Sequence, residues 1–249
     1  MATYNPFSLD NKTILVTGAS SGIGRATAIE CSKMGAKVII TARNEERLSE
    51  TLSQMKGDGH QVIVADLTQQ EGLDKILSET TKINGLVLCA GIGMTSPFSF
   101  STRERFDKVF EVNFFSPIEL FRLLVKKKKI EKEASVVFVS SIGGNDTFTV
   151  GNGVYGASKS AFSSVMKFSA KELASKKIRV NSVNPGMVNT NLLQNIAASE
   201  EQQKKDIEEY PLKRYGEPYE IAWGIIYLLS NASSWVTGHS LVIDGGKTI

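Results

Sequence analysis

Residues 13–25 read TILVTGASSGIGR: a short β-branched run passes through a glycine-rich turn into a helical pattern. Gly18, Gly22 and Gly24 stand between that strand and that helix, where free backbone N–H groups and the positive helix end can hold a phosphate. Their spacing is G-x-x-x-G-x-G, which differs from the G-x-G-x-x-G fingerprint. Tight turns use glycine as well, so the strand before the turn and the helix after it are what favour nucleotide binding.

A regular alternation of strand and helix continues from this turn. The runs TILVT, KVIIT, QVIVA and GLVLC each start 24 residues after the last, and helix-like segments such as RATAIECSKMG lie between them. Continuous apolar strands that alternate with amphipathic helices are typical of βαβ units in a parallel sheet covered on both faces. Later strands are predicted at 135–140, 178–183 and 240–245, and long helices at 101–129, 153–176 and 217–230.

The predicted fold class is therefore α/β. We expect a Rossmann-like doubly wound parallel sheet of about seven strands, with helices on both faces. No low-complexity linker divides the sequence, so residues 1–249 are predicted to form a single nucleotide-binding domain. The least regular stretch, at about 186–216, follows Pro185 and is rich in polar residues, and it predicts a mobile substrate loop.

The composition excludes several classes of protein. Apolar residues make up 41% and charged residues 22% of the 249, and a net charge of +3 is too small to indicate a nucleic-acid binder. Two distant cysteines make neither a disulfide framework nor a metal cluster, so no metal is predicted. No secretory signal is recognised, and no apolar run approaches the ~20 residues of a membrane span. We therefore expect a soluble, cytoplasmic protein that does not bind membranes.

The end of the second strand indicates which dinucleotide the glycine-rich turn would bind. An NAD site carries an acidic residue about 20 positions after the glycines, to bind the ribose 2′-hydroxyl. Here the sequence is TARNEE, with Arg43 in that region. A guanidinium suits a 2′-phosphate, which it can bind through two charge-assisted hydrogen bonds, although a solvated arginine at a strand end would look the same. We predict NADP(H) in preference to NAD(H).

The stretch VYGASK, residues 154–159, sets Tyr155 one helical turn before Lys159, so both side chains lie on the same helix face. Taken alone, this is also an ordinary neighbour pair of a helix surface. A free tyrosine has a pKa of about 10 and is a poor proton shuttle near neutral pH. A nearby ammonium, together with the positive charge of an oxidised nicotinamide, favours the phenolate. The pair therefore predicts a lowered pKa for Tyr155 in that complex and a role in proton transfer.

Further motifs follow along the chain in order. They are VADLT with Asp66, CAG at 89–91, EVNFFSP with Asn113, VSSIGG with Ser141, NPGMVNT at 184–190, RYGEPYEIA and WVTGHSLVIDGG. Together with TGASSGIG and VYGASK, they resemble the short-chain dehydrogenase/reductase family in its compact single-domain form. The resemblance runs from about Thr13 to Gly246 and is closest to the family's 3-oxoacyl-(acyl-carrier-protein) reductases.

This resemblance implies a catalytic tetrad of Asn113, Ser141, Tyr155 and Lys159. Tyr155 would be the general acid in reduction and the general base in oxidation, and Ser141 would hold the substrate oxygen. Lys159 would also bind the nicotinamide ribose, and Asn113 would hold a water that links Lys159 to solvent. The implied cofactor contacts are Gly18, Ser20, Ser21, Gly22, Ile23, Gly24, Arg43, Asp66, Leu67, Ala90, Gly91, Tyr155, Lys159, Pro185, Gly186, Val188 and Thr190.

The sequence departs from the family pattern at two places. Cys89 replaces the asparagine of Asn-Ala-Gly, which in the family ties neighbouring strands together, so the local stability of this strand end is in question. Ser141 and Tyr155 are 14 residues apart, which looks like one residue more than in many relatives. The intervening loop is therefore expected to shape the substrate pocket differently.

The sequence indicates the cofactor more clearly than it indicates the substrate. Met94, Ser141, Ile142, Phe148, Met187, Leu192 and Leu193 are predicted to line the pocket. Such a mostly apolar wall suits acyl chains and sterols equally, whereas a sugar would require more hydrogen-bonding groups. A 3-oxoacyl thioester is the first hypothesis. Hydroxysteroids, sugars and small ketones stay open, as does a regulator that binds the cofactor without catalysis.

Two kinds of macromolecular partner are also predicted. The basic run Lys126–Lys129, with Lys176 in the next helical segment, is a candidate docking site for an acidic acyl-carrier protein. A solvated helix end is the alternative, because Glu131 and Glu133 follow directly. The family resemblance further implies a homotetramer, with interfaces on the helices around 101–129 and 153–176 and on the C-terminal segment.

Overall fold

Seven short apolar runs form one parallel sheet in the computed structural model, which describes residues 4–191 and 200–249. The strand order is β3-β2-β1-β4-β5-β6-β7, and every neighbouring pair is parallel. This confirms the predicted doubly wound α/β fold. The strands are β1 (Thr13–Thr17), β2 (Lys37–Ala42), β3 (Gln61–Val64), β4 (Ile83–Leu88), β5 (Ile130–Val139), β6 (Arg179–Pro185) and β7 (Ser240–Ile243).

The helices of the described residues connect these strands in the order that the periodicity predicts. They are α1 (Gly22–Lys33), α2 (Glu45–Ser53), α3 (Gln70–Glu79), α4 (Arg103–Phe110), α5 (Ser116–Lys126), α6 (Gly153–Leu173), α7 (Glu200–Glu208) and α8 (Pro218–Leu229). A π-helical turn, Glu111–Phe115, joins α4 to α5. Short 3-10 turns lie at Phe98–Phe100, Ala174–Lys176 and Asn231–Ser233.

Alternating strand residues face two separate apolar layers, because successive side chains of a strand point to opposite faces. Leu15 packs with α3, α5 and α6 on one face, whereas Ile14 and Val16 pack with α1, α2 and α8 on the other. Both layers are buried, so the strands read as continuous apolar runs and not as an apolar–polar alternation. This is why the strands were recognisable in the sequence.

The direction of the winding reverses between β1 and β4, which are neighbours in the sheet. Chain segments that leave β1 and β4 therefore diverge to opposite faces, and they open a crevice beyond the carboxyl ends of the strands. The glycine-rich turn after β1 stands at this point. All seven strands are parallel, so the segments after β2, β4, β5 and β6 reach the same edge.

The predicted mobile loop at 186–216 falls partly outside the described residues. Its described part contains α7, and Val188 forms an isolated β-bridge with Gly216. Of the helices in the described parts of the chain, none is long and apolar enough to cross a membrane.

Candidate active site

A cavity of about 820 Å³ lies along the carboxyl edge of the sheet. Every residue predicted to contact the cofactor lines it, from Gly18 in the first turn to Thr190 after β6. Ser141, Tyr155 and Lys159 line the same cavity. The tertiary structure thus brings together side chains that are separated by up to 172 positions in the sequence, from Gly18 to Thr190.

The turn after β1 is shaped to let a ligand approach its backbone. A Cβ on Gly18, where φ is +67°, would stand 2.8 Å from Ala90 Cα, and a Cβ on Gly24 would clash with the Gly18 carbonyl oxygen. A Cβ on Gly22, where φ is +52°, would press on Thr190 Cγ2 at 3.1 Å. Larger side chains would therefore clash with the neighbouring chain, so glycine is what allows this tight turn at the N-terminus of α1, where backbone N–H groups can meet a pyrophosphate.

The far end of the cradle carries positive charge. Arg43 lies 71% exposed after β2, and its Nη1 is 3.8 Å from Asp66 Oδ2. Asp66 also accepts hydrogen bonds at Oδ1 from the Thr68 N–H and hydroxyl, each at 2.9 Å. Arg47, in the first turn of α2, lines the same wall and was not recognised in the sequence analysis. Arg47 belongs to no motif that could be recognised in the sequence. It reaches the cavity wall because α2 begins there.

Tyr155 and Ser141 form a hydrogen-bonded pair at the opposite end of the cavity. Ser141 follows the end of β5, and its Oγ accepts a hydrogen bond of 3.0 Å from the Gly143 N–H. Burial raises the pKa of Tyr155 to about 12, although the Ser141 hydrogen bond acts in the other direction. In the structure described, desolvation of the hydroxyl outweighs its partners. At neutral pH Tyr155 holds its proton. The lowering predicted for the complex with an oxidised nicotinamide stays a prediction.

Lys159 stands beside this pair, almost completely buried. Its Nζ donates a 2.8 Å hydrogen bond to the Val139 carbonyl and lies 5.8 Å from the centre of the Tyr155 ring. Burial lowers the pKa of Lys159 to about 8, and the nearby Cys89 slightly opposes this. The ammonium is therefore the main form at neutral pH, close to the midpoint of its titration.

Asn113 lies behind the cavity wall, in the π-helical turn, and is completely buried. Its Oδ1 accepts from the Ile92 N–H at 2.8 Å, and its Nδ2 donates to the Ile92 carbonyl at 3.0 Å and to Ser158 Oγ at 3.1 Å. A Cβ on Gly91 would stand 3.3 Å from this Oδ1 and 3.5 Å from Lys159 Nζ. The side chain thus holds the loop after β4 next to Lys159, and π-helical turns are frequent at functional sites.

Thr17 links the ends of β1 and β4, the role that the family's asparagine would have at position 89. Its hydroxyl accepts hydrogen bonds from the N–H groups of Cys89 at 3.0 Å and Ala90 at 3.2 Å, and it donates to the Val87 carbonyl at 3.3 Å. Thr17 is the last residue of β1 and is fully buried. The ends of β1 and β4 are therefore linked without an asparagine at position 89.

The loop between Ser141 and α6 is compact, and some of its side chains line the cavity. The Ile142 carbonyl accepts hydrogen bonds from the N–H groups of residues 145–147, at 2.8 to 3.1 Å. Thr147, Thr149 and Val150 line the cavity as a result. Phe148, which was predicted to line the pocket, is 84% exposed and points away, so that prediction is wrong. The turn decides which side chains point inward, and it has no periodic signature.

Both apolar and hydrogen-bonding side chains line the cavity beside the predicted substrate residues. Met94, Ile142 and Met187 do line it, while Leu192 and Leu193 lie outside the described residues. The remaining wall holds hydrogen-bonding side chains that the sequence analysis did not find: Thr95, Thr147, Thr149, Asn152, Asn191 and Lys247. These residues come from four separate segments, so only the fold reveals them. Apolar side chains such as Ile92, Val112 and Val150 line the cavity as well, so the mostly apolar substrate wall stays a prediction.

Lys247, near the C-terminus, is tied to the segment that follows α7. Its Nζ lies 3.1 Å from Asp206 Oδ1, bonds Glu209, and lies 4.8 Å above the Tyr210 ring. The Tyr210 hydroxyl in turn accepts a 3.1 Å hydrogen bond from the Met187 N–H. These contacts fasten α7 and the C-terminal tail to the loop after β6.

The predicted docking run does not reach this cavity. Lys126–Lys129 lie between α5 and the start of β5, and Lys176 precedes β6, so all belong to the amino edge of the sheet. β5 has ten residues, which at about 3.3 Å per residue places roughly 30 Å between this edge and the cavity. Part of the run is also engaged, since Lys129 Nζ donates to the Thr80 carbonyl at 2.7 Å.

Known proteins resemble this chain over nearly its whole length. A family model described as enoyl-(acyl carrier protein) reductase matches residues 18–248. L-xylulose reductase of Caenorhabditis elegans is 36% identical over 248 residues, with 96% of this chain and 97% of the relative covered. The 3-oxoacyl-(acyl-carrier-protein) reductase FabG of Rickettsia prowazekii (strain Madrid E) is 34% identical over 238 residues, with 96% and 97% covered.

Solved structures of similar proteins also superpose on nearly the whole chain. A short-chain type dehydrogenase/reductase from Mycobacterium marinum superposes with a TM-score of 0.86 at 31% identity, covering 98% of each chain. A protein from Beutenbergia cavernae, described as an NAD(P)-dependent gluconate 5-dehydrogenase with NADP bound at low occupancy, superposes with a TM-score of 0.88 at 29% identity. That match covers 98% of this chain and 99% of the other.

Proposed function

The chain belongs to the short-chain dehydrogenase/reductase family of oxidoreductases, and on this premise we propose that it is an NADP(H)-dependent carbonyl reductase. It interconverts a ketone and a secondary alcohol, with ketone reduction as the direction favoured by a reduced NADP pool. The observation that carries the proposal is the shared cavity: Ser141, Tyr155 and Lys159 stand at one end, and the glycine turn and Arg43 stand at the other.

The cofactor fits the chemistry of the cavity wall, and when bound it supplies the hydride. The backbone around Gly18, Gly22 and Gly24 would hold the pyrophosphate, since these glycines line the cavity at the N-terminus of α1. Arg43 and Arg47 would hold the ribose 2′-phosphate, which an acidic residue would repel. Asp66 and Leu67 would border the adenine, and the segment with Pro185, Gly186, Val188 and Thr190 would border the nicotinamide.

Tyr155 would donate its proton to the carbonyl oxygen during reduction. Its hydroxyl is protonated at neutral pH, and the charge of Lys159, with that of a bound oxidised nicotinamide, would favour the tyrosinate formed as the proton leaves. Ser141 would hold the same oxygen and stabilise the negative charge that develops there. The two hydroxyls lie close to each other in the cavity, so they can bind one oxygen together.

Lys159 would stabilise the tyrosinate that remains after proton transfer. A positive charge 5.8 Å from the ring favours the phenolate, and the buried surroundings strengthen this effect. Asn113 would complete a proton path from Lys159 toward solvent through a water. Its Oδ1 borders Gly91 on the side that faces Lys159 Nζ, which supports this role.

Replacing Arg43 by Ala is expected to raise the KM for NADPH about 10-fold or more and to leave the KM for NADH nearly unchanged. The guanidinium would bind a phosphate that NADH lacks, and a charge-assisted hydrogen bond contributes about 1.5–3 kcal/mol. Initial rates with each cofactor, at a saturating concentration of the ketone, measure the effect. Equal losses with both cofactors would contradict the assignment.

A charge control belongs with this experiment. Lys33, 48% exposed at the far end of α1, loses the same unit of charge when replaced by Ala. Both KM values should stay within about 2-fold in that variant, because the phosphate site is a helix length away.

Two substrate classes are supported by different observations. A 3-oxoacyl thioester is supported by the 34% identity to FabG. A polyhydroxylated ketone is supported by the hydrogen-bonding wall at the substrate end and by the 36% identity to L-xylulose reductase. Docking of an acyl-carrier protein on Lys126–Lys129 gains no support from the position of that run. The hydrogen-bonding side chains in the wall are the reason to test the second class beside the first.

The test is NADPH consumption with acetoacetyl-CoA, L-xylulose, a 3-oxosteroid and 2-butanone. Turnover of any ketone supports the reductase, and the ranking of kcat/KM selects the substrate class. If NADPH binds and none of the ketones is reduced, the chain is a cofactor-binding regulator, and the reductase proposal fails.

We further propose a homotetramer in the cytoplasm. Phe115 and Phe168, on the π-helical turn and α6, are 52% and 67% exposed, and Trp235 before β7 is 99% exposed. Exposed aromatic side chains on two faces support two interfaces between copies of the chain. Light scattering at micromolar concentration would find four subunits, whereas a stable monomer contradicts the proposal.

A further inference from the structure

Asn152 lines the cavity next to Ser141 and Tyr155, and its side chain does not cap the helix that follows it. It occupies the N-cap position of α6, where an asparagine normally accepts a hydrogen bond from the first turn of the helix. No such bond is present, and throughout residues 4–191 and 200–249 its side chain has no hydrogen-bond partner. Its amide is therefore available to a ligand.

The position of this amide is set by Gly143. Asn152 Nδ2 stands 3.1 Å from the point where a Cβ on Gly143 would be, and Ser141 Oγ stands 3.3 Å from the same point. Tyr155 Cε1 is 3.9 Å from it. The amide and the Ser141 hydroxyl thus both border the space that a Cβ on Gly143 would occupy, which glycine leaves open.

The wall beyond Asn152 continues with hydrogen-bonding groups. Thr95 and Thr149 are exposed to the cavity, and Thr147 is half-buried beside them. An acyl chain or a sterol would cover these hydroxyls without bonding to them, and unbonded polar groups are costly to bury. Hydroxyl groups of a substrate would bond to them instead.

We propose that Asn152 determines substrate specificity: it hydrogen-bonds an oxygen on the carbon next to the reacting carbonyl, so the substrate is an α-hydroxy ketone. The inference rests on the proposed reductase function. With the carbonyl oxygen on Ser141 and Tyr155, the neighbouring hydroxyl is the substrate oxygen nearest to the gap at Gly143. In a 3-oxoacyl thioester the second oxygen is one carbon farther away.

The test compares two ketones that differ in one hydroxyl: 3-hydroxy-2-butanone and 2-butanone. The wild-type protein should prefer the hydroxy ketone by about 10-fold or more in kcat/KM, because its amide stays unpaired when 2-butanone binds. Asn152→Leu keeps the approximate shape of the side chain and removes its hydrogen bonding. It should abolish this preference, chiefly by lowering kcat/KM for the hydroxy ketone.

Turnover of 2-butanone by each variant shows that the protein is folded and that its proton-transfer groups work. Asn231→Ala, at the amino edge of the sheet, is the matched control and should keep the wild-type preference. If the wild-type protein and Asn152→Leu show the same ratio between the two ketones, the role of Asn152 is refuted while the reductase stands. A wild-type preference for acetoacetyl-CoA over 3-hydroxy-2-butanone also overturns it. If no ketone is reduced, the reductase proposal itself has failed.

Discussion

Replacing Tyr155 by Phe is expected to lower kcat for ketone reduction by about 10²–10⁴-fold, the usual contribution of a general acid. The variant loses only the hydroxyl that donates the proton, and the ring keeps its place between Ser141 and Lys159. Affinity for NADPH should therefore change by less than about 3-fold. Initial rates at saturating ketone, together with titration of NADPH fluorescence, measure the two quantities separately.

Tyr219→Phe is the matched control for this variant. Tyr219 lies 44% exposed on α8, so removal of its hydroxyl should leave kcat and NADPH binding unchanged. If Tyr155→Phe retained more than about a tenth of the wild-type kcat, another group would have to be the proton donor. A parallel loss of NADPH affinity would instead indicate that the substitution had disturbed the cavity.

Replacing Lys159 by Met is expected to lower kcat by about 10²-fold or more and to change the pH dependence of the reaction. The buried ammonium would no longer stabilise the tyrosinate, and electrostatic stabilisation in a buried site contributes strongly to catalysis. Met has a similar length and avoids the cost of burying a charge, so the fold should persist. A thermal unfolding curve checks this second expectation.

The pH dependence follows from the lowered pKa of Lys159, about 8. The lysine is charged below that pH and loses its proton as the pH rises through it, so kcat/KM for reduction should fall above about pH 8. Lys159→Met has no such titration, and this fall should be absent from its profile. A wild-type profile that stays flat from pH 6 to pH 10 would show that the ammonium is not required.

Local sequence patterns were sufficient for the fold and for most of the cofactor cavity. Strands such as LVT before Gly18 are buried on both faces, so they appear as unbroken apolar runs wherever they occur. Gly18, Gly22 and Gly24 are recognisable because no other residue fits their positions. Tyr155 and Lys159 lie on one helix turn, so their contact is also a local property.

Features that depend on loop geometry could not be predicted from local sequence patterns. The turn after Ile142 directs Phe148 outward and its neighbours inward, and a non-repeating turn carries no periodic signal. The direction of the pKa shift of Tyr155 depends on how deeply the ring is buried, which neither its neighbours in sequence nor its spacing from Lys159 reveals.

The sequence by itself determined the α/β fold class, because its strands and helices alternate visibly along the chain. It also determined the phosphate-binding turn and the pairing of Tyr155 with Lys159, because each of these lies within one or two turns of chain. Only the tertiary structure decided which side chains line the substrate end, and that Asn152 and Ser141 both border the space that a Cβ on Gly143 would occupy. It also decided that Lys126–Lys129 stand at the edge opposite the cavity. The physical reason is that substrate walls are assembled from loops at one edge of a parallel sheet, and the packing of the helices and strands sets the positions of those loops.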